Sequence, residues 1–224
     1  NCYLSTTYRL TIPMVKFIND SVLGYDKFKS NKKSSIKPRY LITSMFGGDL
    51  IDEVFFYLKK YKTTEIYIIV PSLKSESSPA RRLANELSNR GINIYYNSES
   101  ESIVDDDDIM ANKLVFLTIH QSKGLENKVV IFIGFDESYL QFYNKNCDKN
   151  KCPNELYVAL TRASECLTII HSDQCNYLPF LDINSLNKRC HVIGKLIKPK
   201  KINTFKIKQK SVTDMVSYLT DEVV

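Results

Sequence analysis

At 224 residues and 25.9 kDa with 43% hydrophobic residues, the chain can bury a core of its own, as one large domain or one domain with an appendage. No stretch approaches the roughly 18 apolar residues of a membrane-crossing helix, and no basic-then-apolar signal opens the chain, so no membrane role is expected. A net charge of +6 and a pI near 8.9 suit a polyanionic partner such as nucleic acid.

Residues 11–23, TIPMVKFINDSVL, open on a Thr start signal with Pro13 in the first turn and predict a helix. Residues 27–39 read as a basic, Ser-rich connector. An apolar run over 40–46 predicts a strand, and DLIDEVFFYLKKY (49–61), after a Gly pair, a helix. The alternation continues with a strand over 65–70, a helix over 78–91 stopped by Gly91, and a strand over 92–96. A polar loop over 97–112, containing Asp105 to Asp108, precedes strands over 114–119 and 128–135. PNELYVALTRA (153–163) predicts a helix, followed at once by a last strand over 166–171. After about Lys195 the chain turns Lys-rich, and SVTDMVSYL sets Ser211 and Asp214 at capping-box spacing before another helix. The expected organisation is one domain over 1–196, then a basic linker and the start of a helix over 197–224. Because the first residue is not Met, the chain is expected to be excised from a longer protein.

Apolar runs without polar alternation indicate strands covered on both faces. With helices between them they predict an α/β fold, a doubly wound and mainly parallel sheet whose ligands gather at the carboxyl ends of the strands. Only seven glycines occur and none belongs to G-x-x-x-x-G-K-[ST], so the loop that cradles ATP phosphates is missing. Asp136 and Glu137 end an apolar strand as a Mg²⁺-holding pair does, but without that loop they have no phosphate to serve. Six cysteines at irregular spacings (Cys2, Cys147, Cys152, Cys166, Cys175, Cys190) predict reduced thiols in an intracellular protein. Cys147, Cys152, His171 and Cys175 have spacings that zinc tolerates. His171 however closes a core strand and the first two cysteines lie in a Lys/Asn-rich loop, so no metal site is expected.

Two segments carry polar groups where an ordinary core element needs none. Between the strands over 114–119 and 128–135 lies HQSKGLE: Gly124 lets backbone N–H groups approach a phosphate or sugar, and Glu126 can accept from a ribose hydroxyl. Thr118 and His120 flank the strand end, where they can donate to a nucleic-acid phosphate. The plainer reading is a turn that uses Gly for steric reasons. In the helix over 153–163, Arg162 either caps the helix dipole or reaches a transferring phosphoryl group with its planar fork.

These residues carry a family resemblance. TIHQSKGLENKVVIFI is similar to motif V of UvrD-like superfamily 1 helicases, LYVALTRASECLTII to motif VI, and LSTTYRLTIPMVKFIN to motif IV, whose Tyr-Arg pair opens a helix. The stretch over 65–96 fits the strand–helix–strand connection of that family, so the likeness spans roughly residues 1–172. It also extends to short UvrD-like helicases of large DNA viruses. The resemblance implies the second RecA-like domain of an ATP-dependent DNA helicase moving 3′ to 5′ on single-stranded DNA, RNA not being excluded. That domain shares ATP and Mg²⁺ with an N-terminal RecA-like domain and binds neither cofactor alone. By resemblance, Tyr8 stacks on adenine, Arg9 and Arg162 approach the γ-phosphate, Glu126 holds the ribose, and Thr118 and His120 face the single strand.

The sequence departs from the pattern in two places. CPNELY stands where the family carries acidic and basic residues ahead of the motif VI Tyr, and the loop over 97–112 is too short for the domain that many relatives insert there. Three rivals remain at this point, of which a plain phosphate-binding α/β enzyme is disfavoured by the lack of any Gly-rich loop. The 5′ to 3′ branch of the superfamily reads Gln-Gly where this chain has Lys123-Gly124, and a non-catalytic nucleic-acid or protein-binding module can keep a helicase-like fold.

Overall fold

The computed structural model describes residues 6–98 and 110–197. Strands β1 (Thr6–Thr11) and β2 (Lys29–Lys32) pair in parallel as a separate ribbon. β3 (Arg39–Thr43), β4 (Ile66–Val70), β5 (Ile94–Tyr96), β6 (Leu114–Thr118), β7 (Asn127–Ile133), β8 (Ala163–Ser172) and β9 (His191–Ile193) form a wholly parallel sheet in the order β5-β6-β4-β7-β8-β3-β9. The helices are α1 (Ile12–Phe17), continued in π-helical form over Ile18–Leu23, then α2 (Gly48–Leu58), α3 (Pro79–Asn89), α4 (Glu137–Phe142), α5 (Asn154–Leu160) and α6 (Ile183–Arg189).

Side chains alternate across the sheet, and both faces are apolar because helices cover both. On one face Val115, Leu117, Val130 and Phe132 pack with Met14 and Phe17 of α1, Leu140 of α4, Leu156 and Leu160 of α5 and Leu186 of α6. On the other, Leu114, Phe116, Ile68, Val129 and Ile131 pack with Val54 and Tyr57 of α2 and Leu83 and Leu87 of α3. This is the doubly wound, parallel sheet that the apolar runs predict, of the RecA-like kind that the resemblance implies.

Several details differ from expectation. The residues read as a connector over 27–39 contain β2, whose Lys-Ser-Asn-Lys has no apolar signal because the strand lies on the surface. The pair Tyr8-Arg9 lies within β1 and does not open a helix. β3 stops at Thr43, three residues early, and α4, α6 and β9 are additional. β8 begins at Ala163, directly after the turn that ends α5. The acidic segment 99–109 and the tail 198–224, with its expected linker and helix, lie outside the described residues. Among the described residues no helix is long and apolar enough to cross a membrane.

Buried polar side chains mark where the layers are tied. Arg39 at the start of β3 makes a two-pronged contact with Glu53 of α2, at 2.7 and 2.8 Å, and Glu53 is only 4% exposed. Thr168 of β8 donates to Glu53 and shares a 2.8 Å bond with Tyr57. Asp136, fully buried, accepts from Ser138 N as the cap of α4 and from Ser172 N. It is therefore a structural acid, committed within its own fold.

His171 is fully buried, with Nδ1 2.7 Å from the Tyr40 hydroxyl and Nε2 3.0 Å from the Cys175 carbonyl. A carbonyl only accepts, so Nε2 carries the proton and Nδ1 accepts from Tyr40. Burial holds its pKa below the usual histidine value, opposed by the Cys175 carbonyl and Asp136. The depressed folded-state pKa means that the stabilisation is complete above the unfolded value of about 6.5 and is lost as pH falls below it. Denaturant midpoints between pH 8 and pH 5 are expected to fall more steeply for the wild type than for His171→Gln. Parallel profiles would refute that role.

Candidate functional site

Tyr8, Arg9, Glu126 and Arg162 come from distant parts of the chain and line one open cleft of about 740 Å³, with Leu10, Phe28, Tyr157 and Thr161. The cleft lies at the amino ends of β7 and β8, because Glu126 precedes Asn127 and Arg162 precedes Ala163, and those two residues are paired. The expectation that ligands gather at the carboxyl ends of the strands is therefore corrected for these four residues. Their place is set by the α5–β8 junction and by the separate β1–β2 ribbon, neither of which belongs to the usual carboxyl-end crevice.

Arg162 is held by the turn it terminates. Its Nε donates to Val158 O at 2.8 Å, Nη1 to Leu125 O at 3.1 Å and Nη2 to Thr161 Oγ1 at 3.4 Å. A guanidinium has five N–H donors; with three engaged, one on each terminal nitrogen remains for an anion. Its backbone carbonyl accepts from Asn127 N, so Arg162 grips the chain on both sides of Glu126. Capping the helix therefore leaves the fork able to take a further acceptor. Burial, and then the charge of Arg9, hold the Arg162 pKa below the usual guanidinium value, with Glu126 opposing. Two neighbouring cations favour a negative charge beside them, and Glu126 supplies one in this structure.

Arg9 forms an ion pair with Glu126 and donates to Thr161 O at 3.4 Å. Its Nε is nonetheless buried without a well-aligned hydrogen bond. Tyr8 is 82% exposed, so its ring is no core aromatic. Gly124 adopts φ +83°, a left-handed conformation that glycine tolerates best, and it serves the turn without lining the cleft.

Thr118 and His120 lie elsewhere. Thr118 is level with Val70 and with the end of β7, whereas Glu126 precedes its start. At about 3.3 Å per residue that separation is roughly 20 Å. The segment between them is no tight turn at one end of the sheet; it crosses the sheet from carboxyl to amino edge. Its first turn is fixed by reciprocal bonds: Gln121 Oε1 accepts from Thr118 N at 2.8 Å, and Thr118 Oγ1 accepts from Gln121 N at 3.2 Å. Gln121 Nε2 also donates to Asn97 O. His120 is exposed and Thr118 half-buried. Sequence reasoning missed Gln121 and Tyr157, a polar residue buried at 5% exposure and an aromatic sitting one turn before Thr161. Among the described residues no group of three or more His, Cys, Asp or Glu could hold a metal ion.

The order of the parallel strands, with helices on both faces, defines a RecA-like α/β domain. Residues 59–174 match the family model of the UvrD-like helicase C-terminal domain, and with more than half of its length matched this chain belongs to that family. It is 34% identical over 82 residues to a probable DNA helicase of Mycoplasma pneumoniae (strain ATCC 29342 / M129 / Subtype 1), a match covering 35% of this chain and 16% of that protein. Its fold matches the crystal structure of the C-terminal domain of a possible DNA helicase from Lactobacillus plantarum WCFS1, with TM-score 0.57 and 18% identity over 83% of this chain and 98% of that one.

Proposed function

We propose that the chain is the second motor domain of an ATP-dependent DNA helicase or translocase, completing an ATP site shared with an N-terminal RecA-like domain. The observation that supports this most is the convergence of Tyr8, Arg9, Glu126 and Arg162 on one cleft. In this reading a γ-phosphate replaces Glu126 as the partner of Arg9 and takes the two remaining Arg162 donors, while the freed Glu126 accepts from the ribose and Tyr8 stacks on the base. Arginines aimed at a transferring phosphoryl group stabilise charge that develops in the transition state. Mg²⁺ is assigned to the domain that carries the phosphate loop, and the natural compartment is intracellular.

Thr118 and His120 contact single-stranded DNA in this proposal. The crossover over 119–126 then joins the DNA-facing edge to the ATP-facing edge, so closure around nucleotide at Glu126 is felt at Thr118 through one short, internally bonded segment. Translocation is assigned the 3′ to 5′ sense, which unwinding of duplexes with a single-stranded tail on one strand or the other checks directly.

The purified chain is expected to show no ATPase activity with or without DNA, and to support turnover only with a phosphate-loop domain. DNA-stimulated hydrolysis by the chain alone would falsify the shared-site reading. Absence of turnover in the complete protein, with DNA binding retained, would instead favour the non-catalytic module.

A further inference from the structure

The pairing of β1 with β2 is broken where the cleft needs it. Thr7 is opposite Ser30 and Thr11 is opposite Lys32, so three residues of β1, Tyr8, Arg9 and Leu10, face one residue of β2. The strand that presents the Tyr-Arg pair is bulged at that pair. A second irregularity lies across the cleft: Asn127 pairs with Ala163 but Val129 with Cys166, leaving Ser164 and Glu165 opposite one residue of β7. That bulge starts two residues after Arg162. Bulges re-aim side chains, and they disrupt the ladder locally, so the carbonyls there need other donors.

Both bulges find the same donor. Lys32 Nζ is 2.7 Å from Ser164 O and 3.3 Å from Arg9 O. Ser30 completes the arrangement, donating to Leu10 O and accepting from Lys32 N at 3.0 Å. Among the described residues, the two buried side-chain polar atoms without a well-aligned hydrogen bond, Arg9 Nε and Thr11 Oγ1, lie in this same strand. Where the β1–β2 ladder is interrupted, side chains of β2 therefore supply the missing bonds to β1.

We propose that Lys32 is a positioning residue: its ammonium clips the Arg9 bulge to the bulge behind Arg162 and sets the spacing of the two arginines toward a nucleotide. This rests on the proposed ATP site and names a residue that site depends on without touching the ligand. Misplacement by about 1 Å of a group acting on the transition state lowers rate far more than binding.

The test uses the complete helicase protein carrying this domain. Lys32→Met is expected to lower kcat for ATP about tenfold with KM within about twofold, while Lys32→Arg, which keeps several donors, recovers most of the loss. On an Arg9→Ala background Lys32→Met should cost no more than about twofold further, because a residue acting through Arg9 is silent once Arg9 is gone. Should Lys32→Met fail to fold, Ser30→Ala, judged by the same kcat loss and the same silence without Arg9, replaces it. An unchanged kcat, or an equal loss on both backgrounds, overturns the proposal while loss of turnover in Arg162→Ala leaves the ATP-site reading standing. Normal turnover in Arg162→Ala overturns both.

Discussion

Arg162→Ala in the complete protein is expected to lower ATP turnover by about 10³-fold, the lower end of what removing an arginine finger costs, because Arg9 remains to carry part of the charge. That corresponds to about 4 kcal/mol of transition-state stabilisation. Nucleotide affinity should change by no more than about threefold, since in the proposed role the arginine acts on charge that develops during transfer. The variant also loses a helix cap and the Leu125 contact, so a thermal melt must accompany the kinetics. Lys is the informative companion substitution: it keeps the charge but not the fork that reaches Val158 O, Leu125 O and an anion together, and is expected to recover less than a tenth of the lost rate. Turnover within tenfold of wild type in Arg162→Ala, with the fold intact, would remove Arg162 from the mechanism.

Arg39→Met is expected to destabilise the domain by about 2–3 kcal/mol, below the ~3–5 kcal/mol of a fully buried pair because Arg39 is partly exposed. The loss arises mainly from Glu53, which is left buried with a single hydroxyl donor, Thr168. For a domain of this size the melting temperature should fall by roughly 5–10 °C. Arg39→Met combined with Glu53→Met removes the unpaired charge together with its partner and should regain at least half of the loss, since apolar replacements of a buried pair are often close to neutral. A double variant less stable than either single one would show that the pair contributes beyond mutual neutralisation. The network joins α2 to β3 and β8, on the face of the sheet away from α5, so ATP turnover at permissive temperature should be unaffected.

The residues proposed for chemistry were largely legible before the fold. Each motif is a short, contiguous pattern at a strand or helix end: Tyr8-Arg9, Thr118 with His120, Glu126, Arg162. The apolar runs likewise declared a parallel sheet, because a strand covered on both faces has no polar alternation to confuse it. Elements without that signal were missed. β2 is four polar residues on the surface, β9 is three residues at a sheet edge, and α4 and α6 are short helices whose stability comes from Tyr139, Leu140 and Leu186 packing on the core rather than from periodicity.

The sequence by itself determined the alternation of strands and helices, the absence of a phosphate loop and the identity of the polar residues that the core does not need. Only the tertiary structure decided which of them meet. It brought Arg9 to Arg162 across 153 positions of chain, and it parted Thr118 from Glu126 by a strand length although they are near neighbours in sequence. The reason is that parallel pairing returns every strand to the same edge. A short crossover between parallel strands must then travel the length of the sheet, while residues from remote strands share its amino edge. The Lys32 clip is equally a tertiary fact, since the carbonyls it joins are exposed by bulges in strands that do not pair with each other.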